Sequence, residues 1–529
     1  MAYTSYVYLL LFLSITFLAY NLVPNKIKWL ILLLASYLFY CISSENLVIY
    51  IVISTLSIYF SGLFIQKFND KFENAKKYLS KEDRKLLKAK IARYKKIAIA
   101  FALIINFGLL LNLKYCNFFA ETANSIIHCF NSSFSIPWRN IVLPLGISFY
   151  TLQATSYIID VYRGKYKADR NLGRIALFLC FFPQIVEGPI GRYDQLADQL
   201  YEGHSFNYEN FTFGIQLIFW GLFKKIVIAD RVNTLVNTVF DNYVNYRGMT
   251  IIVSVLLYTL QIYAEFSGCM DIVTGSSQIF GIHLSKNFKR PFFANSINDF
   301  WRRWNITLGT WLRDYIFYPI SLSKAFMKLS KNVKKHLNVH FGKLIPATFA
   351  LLFVWLGNGF WHGASWKYIS YGMYYYVLMI LGMFCEPLFS TILSALHIKR
   401  KFKWYHIFQI VRTFIIVNIG MLIFRADDLI VAAKMLISTF SGFTFATLAN
   451  GSLLTLGIDK LDMQVIMFGA LVIFIVGLLQ EKGYSLRQTI ASKNIVLRWC
   501  VYFTAIFFVI ILGAYGVGYS PADFIYAQF

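Results

Sequence analysis

Apolar stretches of about 20 residues alternate with short polar loops along almost the whole chain. Three lie near the start, at about 5–22, 28–45 and 46–65, and the run WCVYFTAIFFVIILGAYGVGY lies near the other end. Each is long enough to cross a bilayer as a helix. Because roughly a dozen such stretches follow one another without internal repeats or long linkers, we predict an all-α polytopic membrane protein, with residues 1–529 forming one membrane-embedded domain.

The composition supports this prediction. Hydrophobic residues occupy 57% of the 529 positions, aromatic residues 18% and charged residues 15%, and the mean hydropathy is +0.54. Too little polar surface remains to cover a soluble globule of this length. No basic residue precedes Lys26, so we interpret the first apolar run as an uncleaved span and not as a signal peptide. Seven scattered cysteines, without a C-x-x-C motif or a histidine cluster, predict no metal site.

The formal net charge of +25 comes from basic residues in the short loops between apolar runs. This distribution is typical of membrane insertion and argues against nucleic-acid binding. Segment 66–96 carries 12 Lys and Arg against 4 Asp and Glu, so we expect it in the cytoplasm, as an amphipathic helix on anionic membrane lipids or as a solvated loop. Counting spans from it places the N-terminus outside. Basic residues before the last apolar run place the C-terminus outside as well.

Several apolar segments are interrupted by proline, glycine or a carboxylate. FFPQIVEGPIGRY contains Glu187, LPLGISFY contains Pro144, and YAEFSGCMDIVTG contains Glu265 and Asp271. Irregular backbone at membrane depth persists where it packs inside protein or lines a wet cavity, and intramembrane carboxylates usually face a bundle interior or a pathway. We therefore expect these segments to line an internal tunnel; the alternative is that they are ordinary turns near the interface.

The stretch LLFVWLGNGFWHGASWKYISYG holds a single histidine, His362, next to Trp361. Basic loops on both sides predict that the chain enters the membrane and returns to the same face, with His362 at the turn. A histidine at membrane depth is typically functional, although in a soluble helix it is usually a satisfied core residue. Three glycines should interrupt the helix and allow close backbone approach: Gly357, Gly359 and Gly363.

A second stretch, FFANSINDFWRRWNITLGTWLRDYIFYPI, opens with Ser296 followed three residues later by Asp299. This capping pattern predicts that a helix begins there. Helical spacing then places Asn305 on an apolar stripe, where its amide either ties two elements together or points at a reacting group. Three arginines fall off the stripe and could meet headgroups or the phosphates of an anionic donor: Arg302, Arg303 and Arg313.

Five stretches between about Ile141 and Trp366 occur in series: LPLGISFYTLQATSYIIDVYRG, FFPQIVEGPIGRY, YAEFSGCMDIVTGSSQIFGI, NFKRPFFANSINDFWRRWNITLGTWLRDYIFYPI and NGFWHGASW. Together they resemble the signatures of bacterial membrane-bound O-acyltransferases, most of all the alginate O-acetyltransferase type, and more distantly the teichoic-acid D-alanyl transfer protein. The resemblance implies a core at about 141–366 and a ring of tilted transmembrane helices with re-entrant segments around a central tunnel. It matches His362 to the histidine of the family. The bacterial pattern usually reads W-R-R-W-H where this chain has Asn305.

The chain ends in FIYAQF, which resembles the F-x-Y-x-x-F ending of many envelope-acylating members. In that pattern the tyrosine is proposed to carry the acyl group, which implies this role for Tyr526 in an extracellular tail at 521–529. Phe524 and Phe529 would anchor the tail at the extracellular mouth. The alternative is that these aromatic residues only grip the membrane interface.

The resemblance implies an O-acetyltransferase in the bacterial cytoplasmic membrane. His362 would act as general base, acetyl-CoA in the cytoplasm would be the donor, and Tyr526 would accept the acetyl group. An extracellular serine-hydrolase-like acetyltransferase of the SGNH type would then pass it to an envelope or secreted polysaccharide. Two alternatives stay open: D-alanyl transfer from a carrier-protein thioester to teichoic acid, and transport of a lipid-linked sugar without catalysis.

Overall fold

A computed structural model describes residues 1–44, 47–130, 134–336 and 339–515 of the chain. Those ranges contain α-helices with short π and 3-10 segments and no strand. Nine helices within them are long and apolar enough to cross a membrane, and a tenth span results if the pair Trp366–Phe384 and Glu386–Ala395, bent by 55°, is counted. The all-α, multi-pass prediction is therefore confirmed, with fewer spans than the dozen expected. The ring around a central tunnel stays a prediction.

The chain divides into two compact units, which are described separately. Unit 1 comprises residues 1–218 and 273–285, and unit 2 comprises residues 219–272 and 286–529. The prediction of one membrane-embedded domain stays a prediction.

Unit 1 is built from the N-terminal helices, which begin after a π-helical turn at Val7–Phe12. The helices are α1 (Leu13–Leu22), α2 (Lys28–Ser44), α3 (Val48–Ala75), α4 (Lys81–Leu110), α5 (Cys116–Phe130), α6 (Ile147–Arg163), α7 (Leu172–Cys180), α8 (Tyr193–Glu202) and most of α9 (Tyr208–Leu222). A π-helical turn at Leu111–Tyr115 joins α4 to α5.

The basic segment 66–96 is helical, as the first alternative predicted, but it forms a hairpin of two helices; the solvated loop is wrong, and contact with anionic lipids stays a prediction. Helix α3 continues to Ala75 and α4 begins at Lys81, so the charged residues lie on the ends of two long helices. Ser80 caps α4, because its hydroxyl oxygen accepts a hydrogen bond of 3.2 Å from the backbone N–H of Asp83. Local amphipathic patterning could not show that each half continues an apolar span.

Residues 181–192 are not helical, yet every one of them is buried in unit 1. Side chains form hydrogen bonds with some backbone groups of this irregular stretch. Ser36 Oγ accepts from the N–H of Phe182 at 3.0 Å, and Tyr3 Oη donates to the carbonyl of Phe182 at 2.7 Å. Glu187 is 2% exposed. This irregular backbone is thus packed inside protein, and the tunnel that the stretch is expected to line stays a prediction.

Unit 2 contains the end of α9, a π-helical segment at Phe223–Ala229 and the remaining helices. They are α10 (Asp230–Asp241), most of α11 (Met249–Gln278), α12 (Ile297–Trp301), α13 (Ile306–Leu312), α14 (Tyr318–Ser321), α15 (Lys324–His336), α16 (Val339–His362), α17 (Trp366–Phe384), α18 (Glu386–Ala395), α19 (Lys403–Arg425), α20 (Leu429–Ser438), α21 (Lys460–Glu481), α22 (Leu486–Ala491) and α23 (Ile495–Leu512). A further π-helical turn, Arg313–Phe317, joins α13 to α14.

Helices α16 and α17 form a tight hairpin, and two glycines set its spacing. A Cβ on Gly359 would lie 2.7 Å from the carbonyl oxygen of Tyr368, and one on Gly372 would lie 2.5 Å from that of Trp355. Both distances are shorter than real Cβ contacts, so any larger residue would push the helices apart. This hairpin carries His362 at its turn.

Candidate active site

His362 is the last residue of α16, and its side chain is 3% exposed. Four aromatic rings surround the imidazole, with centroids 5.0 Å away at Trp361, 5.2 Å at Phe424, 5.8 Å at Tyr371 and 6.4 Å at Tyr368. The rings of Phe424 and Tyr371 stand nearly perpendicular to it, at 87° and 89°. Edge-to-face packing of this kind holds the imidazole in one orientation. The predicted position of His362 at the turn is confirmed.

The glycines around His362 act differently from the prediction. Helix α16 runs without a break through Gly357 and Gly359, so the predicted interruption is wrong at these two positions, whereas the helix does end just before Gly363. A glycine inside a helix costs about 1 kcal/mol, which the packing of a buried hairpin easily offsets. The predicted close approach is confirmed at Gly359, and a Cβ on Gly363 would collide with the ring of Tyr368. Gly363 thus lets α17 fold back directly after the histidine.

A continuous set of aromatic contacts joins His362 to the W-R-R-W-N motif. The ring of Tyr371 lies 5.8 Å from His362 and 6.3 Å from Trp301, the first tryptophan of the motif. Trp301 in turn lies 5.0 Å from Trp355 of α16 and 4.9 Å from Tyr375 of α17. The two sequence motifs singled out separately therefore meet in one buried aromatic cluster of unit 2.

Asn305 does not lie on a helical stripe, and the prediction of one continuous helix through it is wrong. The helix begins as predicted, with the Ser296 hydroxyl accepting a hydrogen bond from the Asp299 N–H at 3.1 Å, but it ends at Trp301. Asn305 then adopts a left-handed backbone conformation with φ of 44° and becomes the N-cap residue of α13. Asparagine tolerates this conformation better than most residues. The side chain is 4% exposed.

Asn287 secures the break between the two short helices. Its backbone carbonyl accepts from the N–H of Ile306 at 3.0 Å, and its side-chain oxygen accepts from both the N–H and the hydroxyl of Thr307, at 3.0 and 2.8 Å. The break therefore depends on a residue 18 positions before Asn305, which local patterning cannot reveal. The structure gives Asn305 a backbone role, and its role toward a reacting group stays a prediction.

The three predicted donor-binding arginines differ in their surroundings. Arg303 is paired with Asp299 at 3.1 Å and with Glu481 at 3.1 Å. Burial lowers the pKa of its guanidinium, but the hydrogen bonds and charges of these carboxylates outweigh burial and raise the pKa above its usual value. Arg313 is half exposed and contacts its neighbour Asp314 at 2.9 Å. Arg302 is exposed, and the described residues give its side chain no hydrogen-bond or ion-pair partner. Arg302 is thus the freest of the three to meet an anion.

The carboxylates predicted to face a pathway are paired with lysines that the sequence analysis did not single out. Lys224 Nζ lies 2.6 Å from Asp271 and donates to Ser267 Oγ at 2.8 Å. Lys225 Nζ lies 2.7 Å from Asp230 and 3.4 Å from Glu265. The signal that could have revealed them is the Lys-Lys pair inside the apolar run FWGLFKKIVIAD.

Tyr526, Phe524 and Phe529 lie outside the described residues, so their predicted roles stay predictions. The described residues end just after α23, and hydrogen bonds attach this end of the chain to other residues of unit 2. The N–H of Ala514 donates to the carbonyl of Ile226 at 2.7 Å, and Arg231 Nη2 donates to the carbonyl of Leu512 at 2.7 Å. Arg231 also pairs with Asp462.

The sequence profile of the MBOAT, membrane-bound O-acyltransferase family, matches residues 169–424. The protein of Pseudomonas aeruginosa named "Probable alginate O-acetylase AlgI" is 31% identical over 497 residues, which cover 93% of this chain and 84% of that protein. The chain belongs to the membrane-bound O-acyltransferase family. The resemblance inferred from the motifs is thereby confirmed, and the chain is a multi-pass membrane acyltransferase.

Other relatives of this membrane-bound O-acyltransferase carry different names. The "Peptidoglycan O-acetyltransferase" of Helicobacter pylori is 31% identical over 65% of this chain and 64% of its own length. The "Teichoic acid D-alanyltransferase" of Bacillus subtilis is 30% identical over 54% of this chain and 70% of its own length. The profile match includes His362, Asn305 and the aromatic cluster between them. It does not extend to Tyr526.

Proposed function

We propose that this chain takes an acetyl group from acetyl-CoA on the cytoplasmic side of the bacterial cytoplasmic membrane and loads it on Tyr526 at the outer face. A separate extracellular acetyltransferase of the SGNH, serine-hydrolase-like type then transfers the group to an envelope or secreted polysaccharide. Both termini lie outside the cell. The names of the alginate and peptidoglycan O-acetylating relatives support acetyl as the group and a polysaccharide as the acceptor.

The observation that carries the proposal is the placement of His362. It is the family-matched histidine, it is 3% exposed at the turn of α16 and α17, and aromatic contacts hold its ring. A buried imidazole positioned in this way suits general-base catalysis, which contributes about 10² to 10⁴ in rate. In the first step, an imidazole nitrogen of His362 takes the proton of the Tyr526 phenol. The phenol oxygen attacks the carbonyl carbon of the thioester at the same time.

The tetrahedral intermediate then collapses, the C–S bond breaks and the sulfur of coenzyme A leaves with the proton from His362. The acetyl ester stays on Tyr526. A phenol, with a pKa of about 10, is acidic enough for this activation, and it leaves more readily than an alkyl alcohol in the next transfer. In that step a serine hydroxyl of the partner attacks the ester carbonyl and the phenol regains a proton.

Donor identity is the test that separates this proposal from its alternatives. The full-length protein in lipid nanodiscs is incubated either with radiolabelled acetyl-CoA or with a carrier protein charged with radiolabelled D-alanine, and Tyr526→Phe serves as the control. We expect label on the wild-type protein from acetyl-CoA and none on the Tyr526→Phe variant. Label from the charged carrier alone would overturn the acetyl assignment and favour D-alanyl transfer, for which the Bacillus subtilis relative is named.

A third outcome addresses transport. If neither donor labels the protein while proteoliposomes containing it move a lipid-linked sugar across the bilayer, the covalent mechanism is wrong and the transporter alternative replaces it.

A further inference from the structure

Asn358 lies one helical turn before His362 on the same face of α16. Positions 355, 358 and 362 follow the spacing of one helix stripe, so Asn358 stands between Trp355 and His362. The neighbours of this stripe are the rings of Trp301 and Tyr371, which lie 6.3 Å from each other. A buried amide therefore lies on the helix stripe whose other two members, Trp355 and His362, belong to the aromatic cluster.

The side chain of Asn358 is 3% exposed, and its Nδ2 has no hydrogen-bond partner among the described residues. The Nε1 of Trp301 is likewise buried without a partner in that part of the chain. An unsatisfied N–H in a buried, apolar environment lowers stability, and a native protein normally keeps such a group only when something binds it. Two N–H donors of this kind in one cluster indicate an acceptor that arrives from outside the chain.

Three other buried asparagines among the described residues have a partner for their side-chain nitrogen. Asn106 Nδ2 donates to Ser57 Oγ at 2.9 Å, Asn287 Nδ2 donates to Met270 Sδ at 3.4 Å, and Asn418 Nδ2 donates to the Phe414 carbonyl at 2.8 Å. Asn418 is satisfied on both sides, since its Oδ1 also accepts from Thr259 Oγ1 at 2.7 Å. The side-chain nitrogens of these three amides have partners within the described residues, and the Nδ2 of Asn358 differs from them in this respect.

We propose that Asn358 Nδ2 donates a hydrogen bond to the carbonyl oxygen of the acyl group during transfer at His362. When the attacking oxygen adds to the carbonyl carbon, the π electrons of the C=O bond move to that oxygen, which becomes an oxyanion. Asn358 stabilises the negative charge there, and the charge returns to the carbonyl bond when the C–S bond breaks. An amide in a buried aromatic environment is a suitable donor. Water does not screen its electrostatic interaction with the oxyanion, and an amide N–H does not ionise.

This inference rests on the proposed acyl transfer at His362, and it assigns to Asn358 the contact with a reacting group that was one of the two alternatives for Asn305. Asn358→Leu removes the donor and keeps the branching of the side chain. A donor aimed at the oxyanion acts mainly in the transition state, so we expect kcat to fall by about 10² to 10³ while the KM for acetyl-CoA changes little.

Stability distinguishes this role from a structural one. Because Asn358→Leu replaces an unsatisfied buried donor by an apolar group, we expect its melting temperature in detergent to equal or exceed that of the wild type. Asn418→Leu is the matched control: it removes the 2.7 Å hydrogen bond from the Thr259 hydroxyl, which then has only the Val255 carbonyl as acceptor, so its melting temperature should fall. If the leucine is too large for the site, Asn358→Ala removes the same donor and should show the same loss of kcat.

A kcat for Asn358→Leu or Asn358→Ala within a few-fold of wild type would overturn the inference. So would a loss of rate that follows only a loss of folded protein, as expected for Asn418→Leu. His362→Ala, measured in the same assay, distinguishes a failure of this inference from a failure of the proposed function. If His362→Ala is inactive while the Asn358 variants keep their rate, this inference alone is wrong; if His362→Ala is active, the proposed function is wrong too.

Discussion

Unit 2 contains two buried polar regions that are built in opposite ways. Around Lys224 and Lys225 each charge has a counter-charge within 3.4 Å, and Ser267 adds a hydrogen bond to Lys224. Around His362 the neighbours are aromatic rings, and two N–H groups, of Asn358 and Trp301, have no partner among the described residues. Both regions lie in apolar segments where polar groups are costly.

The difference distinguishes buried polar groups that stabilise the fold from buried polar groups that are available for catalysis. A buried charge that has its partner stabilises one packing arrangement and needs nothing from outside. A buried donor without a partner keeps the cost of its desolvation until a ligand supplies an acceptor. Glu265 and Asp271 are among the paired groups, and the pathway that they were predicted to face stays a prediction. Asn358 belongs to the other kind, and it lies one helical turn before His362.

The largest expected effect concerns His362. His362→Ala should lower the rate of acetyl transfer by at least about 10²-fold, because general-base assistance is lost. Its expression and melting temperature should stay close to wild type. The matched control is His406→Ala, an exposed position on α19, which should leave the rate unchanged. Transfer of radiolabel from acetyl-CoA measures the activity of both variants. An active His362→Ala protein would show that the region around His362 does not carry out the chemistry.

Substitutions in the region around Lys224 and Lys225 should change the free energy of unfolding. Lys224→Met leaves the Asp271 carboxylate, whose side chain is 27% exposed, without its buried cation. We expect a loss of about 3 kcal/mol in the free energy of unfolding, near the lower end for breaking a buried pair. The double variant Lys224→Met with Asp271→Leu should recover most of it, because no unpaired charge remains. Chemical unfolding in detergent checks this, and a double variant no more stable than the single one contradicts it.

The smallest expected effect concerns the backbone at Asn305, where φ is 44°. Asn305→Gly should keep wild-type stability, whereas Asn305→Ala should lose about 1 kcal/mol, because a Cβ without a polar group disfavours the left-handed conformation. We expect Asn305→Gly to keep most of its acetyl-transfer activity. Unfolding curves and label transfer test the two statements. A stable but inactive Asn305→Gly protein would show that the amide itself takes part in the chemistry.

Features that depend on nearby residues were predictable from the sequence. The apolar spans and the helix start at Ser296 follow from patterns within about 20 residues, which is the length of one span, and the turn at His362 follows from the basic loops that flank its hairpin. The family motifs added the role of His362 as an expectation. Each of these signals is local, so tertiary packing did not alter it.

Features that depend on distant partners were not predictable. The break before Asn305 is held by Asn287, and the helix through Gly359 stays intact because α17 packs against it. The lysine partners of Glu265 and Asp271 come from a π-helical segment about 40 residues away in sequence. The missing partner of Asn358 is visible only when all its neighbours are in place.

The central claim is that the acyl group passes through the His362 site to the terminal tyrosine. Intact-mass analysis of the proteolytic C-terminal peptide, after incubation of the full-length protein with acetyl-CoA, tests it most directly. We predict one added acetyl group on the Tyr526 peptide of the wild type and of His406→Ala, and none on that of His362→Ala. An acetylated Tyr526 peptide from His362→Ala, or an unmodified one from the wild type, would contradict the account.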